Sequence, residues 1–183
     1  MQSYISNLFQ CILKDIGEVF IYLPYGIALL LLMVVFFEIL YRQAVKHGKT
    51  FTVKIWPMAA LTGYSMIILM ITFFSRDSGA RDGMDLIPFA TIGNGVQGDA
   101  YVVENILLFI PLGILLPIAF GQMRRLLPCV SVGFLIGMVI EISQLQTKRG
   151  YVQTDDVIMN TLGTAIGYGI MAWILKIRTR AQM

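Results

Sequence analysis

Five long apolar runs separated by short polar stretches set the pattern of this chain. They predict membrane-spanning helices at about residues 19–41, 53–74, 101–121, 128–146 and 156–175, because a hydrocarbon core of about 30 Å takes about 20 helical residues to cross. Ahead of them, Ile5, Leu8, Phe9, Ile12, Leu13 and Ile16 recur at helical spacing with polar residues between, which predicts a short amphipathic helix lying in the membrane interface over residues 1–18. That segment lacks the basic start and cleavage site of a signal peptide. The expected fold class is all-α: a polytopic transmembrane helical bundle of about five spans plus the short N-terminal interfacial helix, with residues 19–183 forming one transmembrane domain.

Polar residues interrupt the pattern in a consistent way. On a helix turning 100° per residue, Gly133, Gly137, Glu141 and Gln144 fall within a sector of about 80°, and Asp156, Asn160, Gly163 and Gly167 within about 60°. Glycine faces let membrane helices approach closely, so a hairpin of the last two spans packed through them would bring Glu141 and Gln144 against Asp156 and Asn160. Pro111 and Pro117 should kink or loosen the third span unless neighbouring helices satisfy the carbonyls they free. Between the second and third spans runs the longest loop, residues 75–100, in which Leu86, Ile87, Pro88 and Phe89 form an apolar island that either dips into the interface or stays on the surface.

Composition removes the soluble alternatives. At 57% hydrophobic and 14% charged over 183 residues, the chain is too apolar for an ordinary soluble domain, and five spans leave no room for a separate one. Nine lysines and arginines fall on one predicted side and five on the other, which places the amino terminus outside and the carboxyl terminus in the cytoplasm. Every Asp and Glu except Glu38 then lies on the outer side. Cys11, Cys129 and the single His47 have no metal-ligand spacing, so a His/Cys metal centre and a histidine-based triad are not expected.

The candidate chemistry is therefore a polar layer near the outer surface. Glu104 and Asn105 are expected about one turn into the third span, Glu141 and Gln144 within about two turns of the end of the fourth, and Asp156 and Asn160 in the first turn of the fifth. Arg81, Asp85, Arg149 and Asp155 flank them in loops. Arginine can fork onto a carboxylate or a phosphate, so Arg81 and Arg149 suit either neutralising the layer or holding an anionic headgroup. Thr154 or Asp155 suits an N-cap of the fifth helix. Ionisable groups within a span are costly unless paired or wetted, so Glu141 and Asp156 mark a functional site by default. They are also the candidate general bases if chemistry occurs, and two carboxylates can hold Mg²⁺ or Ca²⁺ through oxygen, although no cofactor is required.

The segments Asp85-Leu86-Ile87-Pro88-Phe89, Glu104-Asn105 through Pro111-Leu112-Gly113, Glu141-Ile142-Ser143-Gln144, and Arg149 with Asp155-Asp156 through Asn160-Thr161-Leu162-Gly163 resemble, in order and spacing, the VanZ-like family over a core of residues 81–170. The family positions carried over are Asn105, Pro111, Gly113, Glu141, Gln144, Arg149, Asp156, Asn160 and Gly163. Asp85 departs from the pattern, which often has Asn there. The resemblance implies a multi-pass protein of a bacterial plasma membrane that reduces the action of teicoplanin, a lipid-tailed glycopeptide antibiotic, at the outer leaflet. It leaves the mechanism open.

Two functions follow as expectations. In the first, the outward polar pocket binds an amphiphile, either the lipoglycopeptide or a lipid-linked wall precursor, among membrane lipids. In the second, the protein is a membrane-embedded hydrolase or transferase acting on a lipid or polyprenyl-phosphate headgroup. A transporter ranks below both because the predicted inner half carries few charges other than Glu38. No nucleic-acid partner is expected.

Overall fold

The structure is a computed structural model that describes residues 2–48, 54–74, 83–148 and 152–181. Six helices dominate the described residues: α1 Gln2–Val19, α2 Leu23–Lys46, α3 Ile55–Leu69, α4 Gly95–Ala119, α5 Leu126–Thr147 and α6 Thr154–Ala181. Two two-residue strands, β1 Met84–Asp85 and β2 Val152–Gln153, pair in parallel at the end of the bundle where α4 and α6 begin. Five of the helices are long and apolar enough to cross a membrane, with α3 extended for this purpose by a π-helical turn at Met70–Phe74. The chain is all-α in class and multi-pass in kind.

The third span starts well ahead of the position its sequence pattern predicts. Its helix begins at Gly95 rather than near residue 101. Asn94 and Gly95 make the turn into it, and Gly95 takes φ 84°, a left-handed conformation that costs glycine nothing. Glu104 and Asn105 therefore lie about 14 Å along the helix at 1.5 Å per residue, deeper than the single turn expected.

Packing centres on α6. Its Gly163 and Gly167 face α4: a Cβ on Gly163 would fall on the Ile106 carbonyl, and one on Gly167 on the Ile110 carbonyl. The expected glycine-to-glycine hairpin with α5 is thus corrected. From α5, Gly133 receives the side chain of Thr164, and Gly137 lies against Asn160 and Val157. Thr164 is fully buried, because Gly113 of α4 accepts its backbone and Gly133 of α5 its hydroxyl end. α4 and α5 both read α6, and they use different faces of it. A second close crossing, Gly26 against Gly63, seats α2 on α3.

The two prolines do not break α4. Pro117 has no N–H for the Gly113 carbonyl four residues back, and the Cys129 thiol donates there instead at 3.9 Å. Near Pro111, the Tyr64 hydroxyl of α3 donates to the Leu108 carbonyl at 2.6 Å. The far end of α4 is met by Lys54, whose Nζ donates to the Ile118 carbonyl at 3.0 Å, as suits a cation at a helix C-terminus. The core that results joins Ile68, Phe109, Leu112, Leu116, Cys129 and Ile140.

α1 lies against α4 as an amphipathic strap. Ile5, Phe9, Leu13 and Ile16 form an exposed apolar stripe, consistent with a helix resting in a bilayer interface. Tyr4, Cys11 and Asp15 lie on another face and meet α4. The Tyr4 hydroxyl donates to Asp99 at 2.6 Å, the Cys11 thiol to Gln97 at 3.1 Å, and Gln97 to Asp15 at 3.4 Å.

Candidate functional site

At the end of the bundle that carries β1 and β2, polar side chains of α4, α5 and α6 are held by one another and by loop backbone. Asn105 donates its amide to Asp156 Oδ1 at 2.8 Å, tying α4 to the first turn of α6. Glu141 Oε2 accepts the backbone N–H of Gln153 at 2.9 Å, tying α5 to β2. Gln144 donates Nε2 to the Thr72 carbonyl at 2.7 Å, tying α5 to the π-helical turn that ends α3. A π turn widens the helix, and here one of its carbonyls is engaged by a side chain of another helix. Each bond closes a different pair of elements, so the site is part of what fixes the bundle's end.

Burial is deep for such polar groups. Glu141 is 5% exposed, Asp156 6%, Asn160 2% and Gln144 1%. Gln144 and Asn160 are only partly satisfied: Gln144 Oε1 and Asn160 Oδ1 are buried oxygens that no donor among the described residues reaches. An unmet buried acceptor costs about 1–3 kcal/mol. The Gln144 oxygen is fixed as the acceptor because the amide nitrogen is committed to Thr72. Asn160 lies one turn deeper than Asp156, beside Gly137 of α5.

Asp155 does not act as the expected N-cap. Its carboxylate reaches across to the loop before α4, accepting the N–H of Phe89 and, at 2.8 Å, that of Thr91. Phe89 sits at φ 66°, in the left-handed region that a non-glycine residue occupies at a cost. Asp85 closes the other side of the same loop by accepting the Ile87 N–H at 3.0 Å, an Asx turn that an Asn oxygen would make equally well. The departure from Asn at this position therefore keeps the acceptor. Leu86, Ile87 and Phe89 form no helix and stand exposed.

Glu104 belongs elsewhere. Although next to Asn105 in sequence, it projects about 100° away around α4 and interacts with Asp15 of α1, outside the Asn105–Asp156 contact. The polar layer inferred from sequence is thus divided between the helical core and the α1 strap. Arg81 and Arg149 lie outside the described residues. Among the described residues, no group of three or more His, Cys, Asp or Glu is placed to hold a metal ion.

Three contributors were not singled out in the sequence. Thr72 supplies a carbonyl, Gln153 a backbone N–H and Thr164 the plug between two glycines. The first two act through the backbone, which side-chain patterning does not report. Thr164 carried a usable signal, since it sits one residue beyond Gly163 on a helix already marked by small residues.

The fold and this cluster define a polytopic helical membrane protein with a buried acid-and-amide site at one end of a three-helix core. Residues 61–176 match the VanZ/LLP1 family, well over half of the chain, and the chain belongs to that family. The match is wider than the motif-bearing stretch 81–170 and takes in most of α3, whose Thr72 joins the site. Protein VanZ of Enterococcus faecium is 31% identical over 90 residues, which cover 48% of this chain and 53% of that protein. The matched stretch therefore spans about half of that relative's length. No solved structure matches the chain.

Proposed function

We propose that this protein lowers susceptibility of a bacterium to lipoglycopeptide antibiotics, teicoplanin among them, by binding an amphiphile at an outward-facing site between α4, α5 and α6. The amphiphile is the antibiotic itself or a lipid-linked wall precursor with which the antibiotic would engage. Its apolar part stays in the bilayer, and its headgroup is held by Asn105, Glu141, Gln144, Asp156 and Asn160, with Arg81, Arg149, Asp85 and Asp155 contributing from the loops. One observation carries the reading: Gln144 and Asn160 bury acceptor oxygens with no donor among the described residues, in a cluster that three membrane-spanning helices assemble. Buried polar groups left unmet in a membrane are costly, and a ligand is what would meet them. Membership of the VanZ/LLP1 family and likeness to Protein VanZ support the resistance role. The positive-inside count supports the sidedness.

The test is antibiotic susceptibility of cells carrying the wild-type chain, Arg149→Ala or Asp156→Ala at equal abundance in the membrane. Loss of protection in the variants is expected. Full protection by both would end the proposal.

A second reading, a membrane-embedded hydrolase or transferase acting on a lipid or polyprenyl-phosphate headgroup, has one observation in its favour. Asp156 is oriented by the Asn105 amide, as a general base is commonly held by a neighbouring hydrogen bond. Purified protein that leaves polyprenyl phosphates and wall precursors unchanged, with and without Mg²⁺, would dismiss it.

A further inference from the structure

The chemistry of the unmet oxygens says which part of an amphiphile can reach them. Gln144 Oε1 and Asn160 Oδ1 are hydrogen-bond acceptors, each belonging to a side chain at least nine-tenths buried. Amide flipping does not rescue Gln144, because its nitrogen is held by the Thr72 carbonyl at 2.7 Å. The face of α5 that carries Gly137, against Asn160, carries Glu141 and Gln144 as well, within about 60°. Asn160 thus belongs to the packing between α5 and α6, and Gln144 stands on the same face of α5 with its amide nitrogen turned to the π turn that ends α3. Their carboxylate neighbours, Glu141 and Asp156, are acceptors too, and both accept hydrogen bonds within the protein.

A phosphate has no donor to offer when fully ionised, so it would add acceptor to acceptor. A hydroxyl donates to one oxygen and still accepts from a neighbour. We infer that the α5–α6 part of the site takes the hydroxyls of a sugar-like headgroup, with Gln144 Oε1 and Asn160 Oδ1 as the acceptors that select it over phosphate. This rests on the amphiphile-binding reading and sharpens it. A phosphate on the same ligand would be directed away from the α5–α6 contact.

Protein in lipid nanodiscs, titrated with octyl glucoside or octyl phosphate below their micelle concentrations, tests the assignment by calorimetry. The two probes share a tail and differ in donor capacity. The glucoside should bind at least about tenfold more tightly than the phosphate, and Gln144→Met should weaken it by about tenfold or more. If Gln144→Met does not assemble, the comparison of the two probes on the wild type decides alone. Phosphate binding as tightly as glucoside, or glucoside binding unchanged in an assembled Gln144→Met protein, overturns the inference and leaves the pocket standing. Failure of both probes to bind removes the pocket itself.

Discussion

The Asp155 carboxylate, at the start of α6, accepts the backbone N–H of Phe89, a residue held at φ 66° in the loop that leads into α4. The same carboxylate accepts the Thr91 N–H, so one buried side chain both sustains an unfavourable backbone conformation and anchors a segment more than sixty residues away in sequence. Replacing it with alanine would strand two N–H groups. Asp155→Ala should cost about 3 kcal/mol or more and expose the loop to protease first. Phe89→Gly should relieve the strain and raise thermal stability by about 1 kcal/mol. A melting series of the two variants in nanodiscs checks both signs.

The glycines of α6 are not interchangeable. At Gly167 an added methyl would meet the Ile110 carbonyl of α4, whereas at Gly169 nothing lies within 4 Å. Gly167→Ala should force the helices apart and cost about 3 kcal/mol, while Gly169→Ala should stabilise by up to about 1 kcal/mol through helix propensity. Equal effects of the two substitutions on detergent resistance would contradict the assignment of α6 faces.

Helix α4 tolerates Pro117 because Cys129 donates to the carbonyl it frees. Cys129→Ser, which keeps a donor, should melt within about 1 kcal/mol of the wild type, and Cys129→Ala should fall below it. Cys129 is buried and Cys11 half-buried, so a thiol reagent should modify Cys11 first in the folded protein and both after unfolding.

The strap α1 should respond to alkali. Donation to the Asp99 carboxylate holds the Tyr4 phenol above its ordinary 10.0, so this contact favours the neutral phenol. Its contribution is complete below the ordinary value and is lost as pH rises through the raised one. Hydrogen-exchange protection in α1, taken relative to the base-catalysed intrinsic rate, should therefore hold at neutral pH and fall in alkali, while Tyr4→Phe should already be less protected at neutral pH.

The fold was legible because the apolar runs are long and the membrane leaves a helix few alternatives. Which faces would meet was less so. Gly163 and Gly167 looked like the partners of Gly133 and Gly137, yet a glycine face accepts any close backbone, and that of α4 is the one it finds. Neighbours in sequence also separated: Asn105 turned to Asp156 while Glu104 turned to α1. The 100° step between them predicts a divergence, but which side faces α6 depends on the whole packing. Asp155 read as a cap because caps are local, and its real targets lie in a distant loop. Thr72 and Gln153 contribute backbone atoms, on which side-chain identity is silent.

Everything functional depends on the buried acids and amides of α4, α5 and α6 opening to the outer face. The most direct test labels single cysteines, in a background with Cys11 and Cys129 replaced by serine, using a membrane-impermeant maleimide on intact cells. Ile92→Cys lies in the exposed loop at the site's end, and Gln122→Cys lies just past the opposite end of α4. Labelling of Ile92→Cys in intact cells, with Gln122→Cys modified only after the membrane is opened, is the predicted result. The reverse pattern would place the site in the cytoplasm and contradict the account.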